Sequence, residues 1–184
     1  MTCFIADKDE MVSELARGLN YNPEAMYYWV RDKIAYLPEQ RVDLWFTPRT
    51  TILNRMGDCD DTSILLSSLL WNAGYRNRMV MSYIPKRDTG HIYVELRDTN
   101  GQWLKLDATC KNCKFGEFPD IEEQVIGYIY KDKTVVVNPR LYSVFIGDRF
   151  NWKFTLNCEK VVSVCKPYCS VFEDCKKCED KRVR

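Results

Sequence analysis

No feature of this chain constrains its fold more than the run over residues 58–74, D-C-D-D-T-S-I-L-L-S-S-L-L-W-N-A-G. Asp58 can cap a helix, and Asp60 and Asp61 suit the positive end of its dipole. From there to Trp71 the residues are apolar or small nearly all round, and a helix of that kind is buried on several sides. Gly74 is a natural stop. A chain carrying such a helix must wrap other elements around it. Its 184 residues suffice for one domain with a small appendage.

The rest of the chain supplies those elements. Residues 8–20 carry a mixed helical pattern. Asn22-Pro23 places a capping side chain before a proline at the first helical position. Ala25, Met26, Trp29, Val30 and Ile34 then recur at helical spacing, which predicts a helix over 23–35. Pro38 and Pro48 mark 36–50 as a loop, and a short helix is expected over 50–56. After Gly74 the period changes. Residues 76–84, 91–97 and 102–108 alternate as half-buried strands do. Further strands are expected at 125–130, 133–137, 141–146 and 151–156. Helices followed by a meander of strands make an α+β fold, with N-terminal helices and one buried helix packed on an antiparallel sheet. The folded domain spans 1–157. Beyond it the composition shifts to a tail, 158–184, with five cysteines, many charges and little apolar content. Such a tail needs metal or disulfides for order.

The 27 basic and 26 acidic residues nearly cancel, which argues against nucleic acid or an anionic membrane as the main partner. The N-terminus lacks a basic segment followed by an apolar one, and no stretch is apolar enough to span a bilayer. A cytoplasmic location is the expectation.

Three residues carry the chemistry. Cys59 falls in the first turn of the buried helix, where N–H groups and the helix dipole favour a thiolate. Its own N–H points where an oxyanion could form. Asp58, Asp60 and Asp61 oppose the negative charge, so a nearby imidazolium has to outweigh them. His91 is the one histidine of the chain and opens the strand H-I-Y-V-E-L. Ile92, Val94 and Leu96 form its core face, and His91, Tyr93 and Glu95 form the other. In the partner strand W-L-K-L-D-A, Leu104, Leu106 and Ala108 face the core, opposite Trp103, Lys105 and Asp107. A two-residue Asn100-Gly101 turn would put His91 and Asp107 on opposite faces. A three-residue loop over 99–101, with Gly101 left-handed, makes them diagonal neighbours. The longer loop is therefore predicted, with His91 as base and Asp107 as its orienter.

At this point the residues resemble a known family. The runs Y-W-V-R-D-K-I-A-Y, R-M-G-D-C-D-D-T-S-I-L-L-S-S-L-L-W-N-A-G-Y-R-N-R-M-V, H-I-Y-V-E-L and G-Q-W-L-K-L-D-A-T are similar, in order and spacing, to the transglutaminase-like superfamily over roughly 23–110. The resemblance implies a papain-like Cys-His-Asp triad, with Cys59, His91 and Asp107 at the matching positions. It also implies a thioester acyl-enzyme, released to water by a peptidase or amidase or to an amine by a transglutaminase. A protein or peptide substrate and no catalytic cofactor are expected. A third reading is a non-catalytic binding scaffold of the same fold. The second oxyanion donor of this superfamily comes from upstream of the nucleophile, and Trp45, Gln40 and Asn54 are the candidates.

The remaining cysteines allow several arrangements. Cys110 and Cys113 form one C-x2-C and Cys175 and Cys178 another, and together they could hold a structural zinc. A rival zinc set is Cys165, Cys169, Cys175 and Cys178, and disulfides are a third possibility. Cys3 and Cys158 have no assigned role.

Overall fold

A computed structural model describes residues 5, 6, 8–38 and 45–142. Helix α1 (Glu10–Gly18) begins at Asp9, whose side chain accepts from the N–H groups of Met11 and Val12 and also pairs with Arg49 at 3.1 Å. Helix α2 (Pro23–Lys33) begins as the Asn-Pro pair predicts, with Asn22 Oδ1 accepting from Ala25 N at 2.9 Å. Strand β1 (Ala35–Tyr36) follows, taking the last residue of the expected helix and the first of the expected loop. Helix α3 (Pro48–Asn54) starts two residues ahead of the expected 50–56, because Thr47 caps it and Pro48 takes its first turn; Arg55 ends it in the left-handed conformation. Strand β2 (Met56–Gly57) runs parallel to β1, with Tyr36 opposite Gly57, and leads straight into α4 (Cys59–Asn72).

Residues 60–70 of α4 are all buried, as its composition demands. Burial on every side forces its serines to find partners. Ser63 Oγ donates to Ile92 O at 3.0 Å, Ser67 Oγ to Asn77 Oδ1 at 2.6 Å, and Ser68 Oγ accepts from Ala6 N at 3.0 Å.

Among the described residues five strands form one antiparallel sheet: β3 (Asn77–Ile84), β4 (Thr89–Arg97), β5 (Trp103–Leu106), β6 (Gln124–Ile129) and β7 (Thr134–Val136), in the spatial order β5-β4-β3-β6-β7. Met79 and Met81 of β3, Ile92, Val94 and Leu96 of β4, and Leu106 join one core with Met26 and Val30 of α2 and Leu65, Leu66 and Leu69 of α4. The β4–β5 register pairs Leu96 with Leu104 and Arg97 with Trp103. Asp98 N donates to Gln102 O at 2.8 Å, and Gly101 has φ +81, so the loop is the three-residue one. The outer face of this hairpin is covered as well. Tyr93 packs on Phe118 with ring centroids 4.5 Å apart, and Glu123 Oε1 accepts from Tyr93 Oη at 2.9 Å and from Lys105 Nζ at 2.5 Å.

The expected strand at 141–146 is corrected by a helical turn over 139–142. Asn138 caps it, Oδ1 accepting from Leu141 N at 3.1 Å, and Pro139 follows as Pro23 follows Asn22. That local cap prevails over the alternating pattern. Residues 143–146, the expected strand 151–156 and the cysteine-rich tail 158–184 lie outside the described residues. Among the described residues no helix is long and apolar enough to cross a membrane.

Candidate active site

Cys59 is the first residue of α4, half-buried, and among the described cysteines it is the one outside a disulfide. The turn beneath it is tightly built. Asp58 Oδ1 accepts from Asp60 N at 3.1 Å, Asp61 Oδ2 reaches back to Asp58 N at 3.3 Å, and Asp61 Oδ1 accepts from Phe46 N at 2.7 Å. Gly57 is required here: a Cβ at this position would lie 2.6 Å from Asp61 Cβ. Burial pushes the Asp61 carboxyl up to about 7, and the charge of Asp58 adds to this against the hydrogen bonds from the Phe46 and Asp58 N–H groups. Asp58, Asp60 and Asp61 together bring one oxygen each within 4.8 Å of one another.

His91 Nε2 lies 2.8 Å from Asp107 Oδ2, with side chains 12% and 4% exposed. Oδ1 of Asp107 accepts from Thr109 N at 2.9 Å and from Thr109 Oγ1 at 2.7 Å. Burial pushes this carboxyl up, but the hydrogen bonds from His91 and Thr109 and the charge of His91 outweigh it and hold it below the usual carboxylate value. An ionised carboxylate only accepts, so Nε2 carries the hydrogen and Nδ1 is left as the basic nitrogen.

One hydrogen bond relates α4 to the strand of His91. The Ser63–Ile92 bond fixes the residue one turn beyond Cys59 to the residue after His91. The charges that bear on the Tyr36 phenol are those of Cys59, Asp58, Asp107 and Asp60. Desolvation first, and then those charges, push the phenol up to about 12. Helix α2 braces the far side, where Tyr27 Oη lies 3.3 Å from Asp107 O and 3.2 Å from Cys113 O, and Arg31 Nη1 donates to Cys113 O at 2.7 Å.

Cys110 and Cys113 are bonded to each other as a disulfide, with Cα atoms 5.3 Å apart. Cys175 and Cys178, the other half of the expected zinc set, lie outside the described residues. Of the expected oxyanion donors, Trp45 packs against the core, Asn54 is exposed at the end of α3, and Gln40 lies outside the described residues. Sequence reading missed Tyr36 and Tyr27. Tyr36 sits on a two-residue strand that has no period to detect, and Tyr27 shows in sequence only as one more helix residue.

The family described as the transglutaminase-like superfamily matches residues 9–108. No curated protein matches the chain. Calcium-bound LapG of Legionella pneumophila is structurally similar, with a TM-score of 0.53 and 16% identity, over 67% of this chain and 75% of that one. A second structure of Legionella pneumophila LapG gives a TM-score of 0.53 and 14% identity, over 73% of this chain and 91% of that one. A Cytophaga hutchinsonii protein provisionally named a cysteine protease gives 0.50 and 19%, over 58% of this chain and 39% of its own. At these identities the likeness is one of fold.

Proposed function

The chain belongs to the transglutaminase-like superfamily, and on that premise we propose that it is a cysteine hydrolase cleaving a peptide, isopeptide or other amide bond with Cys59, His91 and Asp107. The observation that carries this reading is the His91–Asp107 hydrogen bond of 2.8 Å on the strand that α4 grips one turn beyond Cys59.

The steps follow from the roles of the atoms. Cys59 Sγ, as thiolate, forms a bond to the carbonyl carbon, and the carbonyl electrons move to oxygen. The Cys59 N–H, at the mouth of α4, faces the oxyanion. As the tetrahedral adduct collapses, the C–N bond breaks and the leaving nitrogen takes a proton from His91 Nδ1, leaving a thioester. Water then attacks the thioester, giving its proton to Nδ1, and the acid departs as the thiolate is restored. Asp107 keeps the hydrogen on Nε2 throughout, so Nδ1 remains the nitrogen that exchanges protons.

Limiting iodoacetamide near pH ~6, where an ordinary thiol of pKa about 8.5 is almost all protonated, tests the nucleophile. Cys59 should label fast, and His91→Ala should slow it on the order of 10²-fold. Slow labelling in both proteins would sink the reading in favour of a binding scaffold. With a substrate in hand, capture of the acyl group by an added primary amine would assign transfer in place of hydrolysis.

A second reading concerns the acidic turn. We propose that Asp58, Asp60 and Asp61 hold a divalent cation such as the one in calcium-bound LapG. Carboxylate oxygens suit calcium, and the charge of Asp58, which adds to burial in raising the Asp61 carboxyl, is one that a cation would relieve. Such an ion would offset the aspartates that oppose a Cys59 thiolate. Calcium at about 1 mM, which suits the weaker extracellular-type sites, should raise the melting temperature over a chelator-treated sample, and Asp60→Asn should abolish the rise. No rise in the unsubstituted chain would overturn it.

A further inference from the structure

We propose that Tyr36 is a further catalytic residue, whose hydroxyl supplies the second hydrogen bond to the oxyanion formed on attack by Cys59. The inference rests on the nucleophile reading above. Its basis is the two-stranded ribbon of β1 and β2, which ties the end of α2 to the start of α4.

Tyr36 pairs with Gly57, two residues before Cys59, and its flanks are pinned by Ala35 N donating to Arg55 O at 2.8 Å and Leu37 N donating to Gly57 O at 3.0 Å. Paired residues of neighbouring strands project to the same face. The face of Gly57 is fixed by its missing side chain: a Cβ there would strike Asp61 Cβ at 2.6 Å, so it looks at the first turn of α4. Tyr36 therefore projects toward that same turn.

The side chain also has the chemistry of an oxyanion donor. A neutral phenol donates one hydrogen bond and carries no charge that would neutralise the thiolate before attack. Tyr36 is 52% exposed, so a carbonyl arriving from solvent can reach it. Its backbone is nevertheless held on both sides, which gives the donor the fixed position that such catalysis needs. Of the donors expected from sequence, Trp45 packs on the core and Asn54 ends α3, short of the β1–β2 ribbon.

Two probes of the full chain separate the donor from the nucleophile. Iodoacetamide alkylates the thiolate by displacement at a saturated carbon and forms no oxyanion. p-Nitrophenyl acetate acylates it through a tetrahedral oxyanion, read as a burst of nitrophenolate and an acetyl mass on Cys59. Tyr36→Phe keeps the ring and removes the hydroxyl. It is expected to slow acylation by on the order of 10²-fold while leaving alkylation within about twofold. Equal slowing of both reactions would make Tyr36 a structural or nucleophile-tuning residue and overturn the proposal, as would unchanged acylation. If neither probe labels Cys59 in the unsubstituted chain, the nucleophile reading falls and this one with it.

Discussion

Asp107 meets His91 with one oxygen and Thr109 with the other, Oδ2 lying 2.8 Å from Nε2 and Oδ1 accepting from both the N–H and the hydroxyl of Thr109. A carboxylate held from both sides has a fixed plane, and it hands that plane on to the imidazole.

The first prediction concerns acid. Asp107 titrates below its unfolded value, so its stabilisation is fully present above about pH 4, the unfolded carboxylate pKa, and is lost as pH falls through the folded value. Thermal melts at stepped pH should show the native chain losing melting temperature below about pH 4 more steeply than Asp107→Asn. Parallel profiles would mean that the pair stores no such free energy.

Thr109→Val removes the hydroxyl donor and keeps the N–H donor. A hydrogen bond to a charged, buried acceptor contributes about 1.5–3 kcal/mol, so urea unfolding should register a loss of that order at neutral pH. The loss should shrink in the Asp107→Asn background, where the acceptor is neutral. An equal loss in both backgrounds would assign the effect to packing.

Gly57→Ala and Gly18→Ala should move in opposite directions. At Gly57 the added methyl meets Asp61 Cβ at 2.6 Å, and overpacking of this kind costs about 1–3 kcal/mol. It should also slow alkylation of Cys59, because the capping turn shifts. At Gly18, in α1, nothing lies within 4 Å of the added Cβ, so the substitution should be neutral or stabilising by up to about 1 kcal/mol. Chemical denaturation of both variants decides it, and destabilisation at Gly18 alone would contradict the geometry.

Arg78, on β3, ties β4, β5 and β6 to its own strand on the outer face of the sheet. It pairs with Glu95 at 2.7 Å, donates to Tyr130 Oη at 2.9 Å, and its guanidinium lies 3.8 Å from the ring centroid of Tyr128 and 4.1 Å from that of Trp103. Lysine keeps the charge but loses the planar fork and the stacking. Arg78→Lys should cost about 2 kcal/mol by urea unfolding. It should leave Cys59 alkylation unchanged, since Arg78 pairs at the other end of β4 from His91. A slowed alkylation would reveal coupling along the strand.

Much of the site was legible because its determinants are local. Asp58 caps α4 as its position implies, and the loop over 99–101 set the face relation of His91 to Asp107. What escaped depends on contacts between distant segments. Gly57 matters only because Asp61 fills its place, and Tyr36 only because β1 lies against β2. The helical turn after Asn138 had the same Asn-Pro signature as α2, yet the alternation of the following residues suggested a strand. The Cys110–Cys113 pair had zinc and disulfide readings that spacing does not separate.

The strand order has a consequence for how the molecule assembles. Helix α4 and strands β3, β4 and β5 are consecutive in the chain and adjacent in space, so the elements that carry Cys59, His91 and Asp107 pack through short loop closures. Strand β6 instead returns across 107–123 to reach β3, and non-local pairing of this kind is slow. The half made of α4, β3, β4 and β5 is thus expected to zip before the sheet is complete, with amides of β4 protected earlier than those of β6 in pulsed hydrogen exchange during refolding. The opposite order would show that closure by β6 nucleates the sheet.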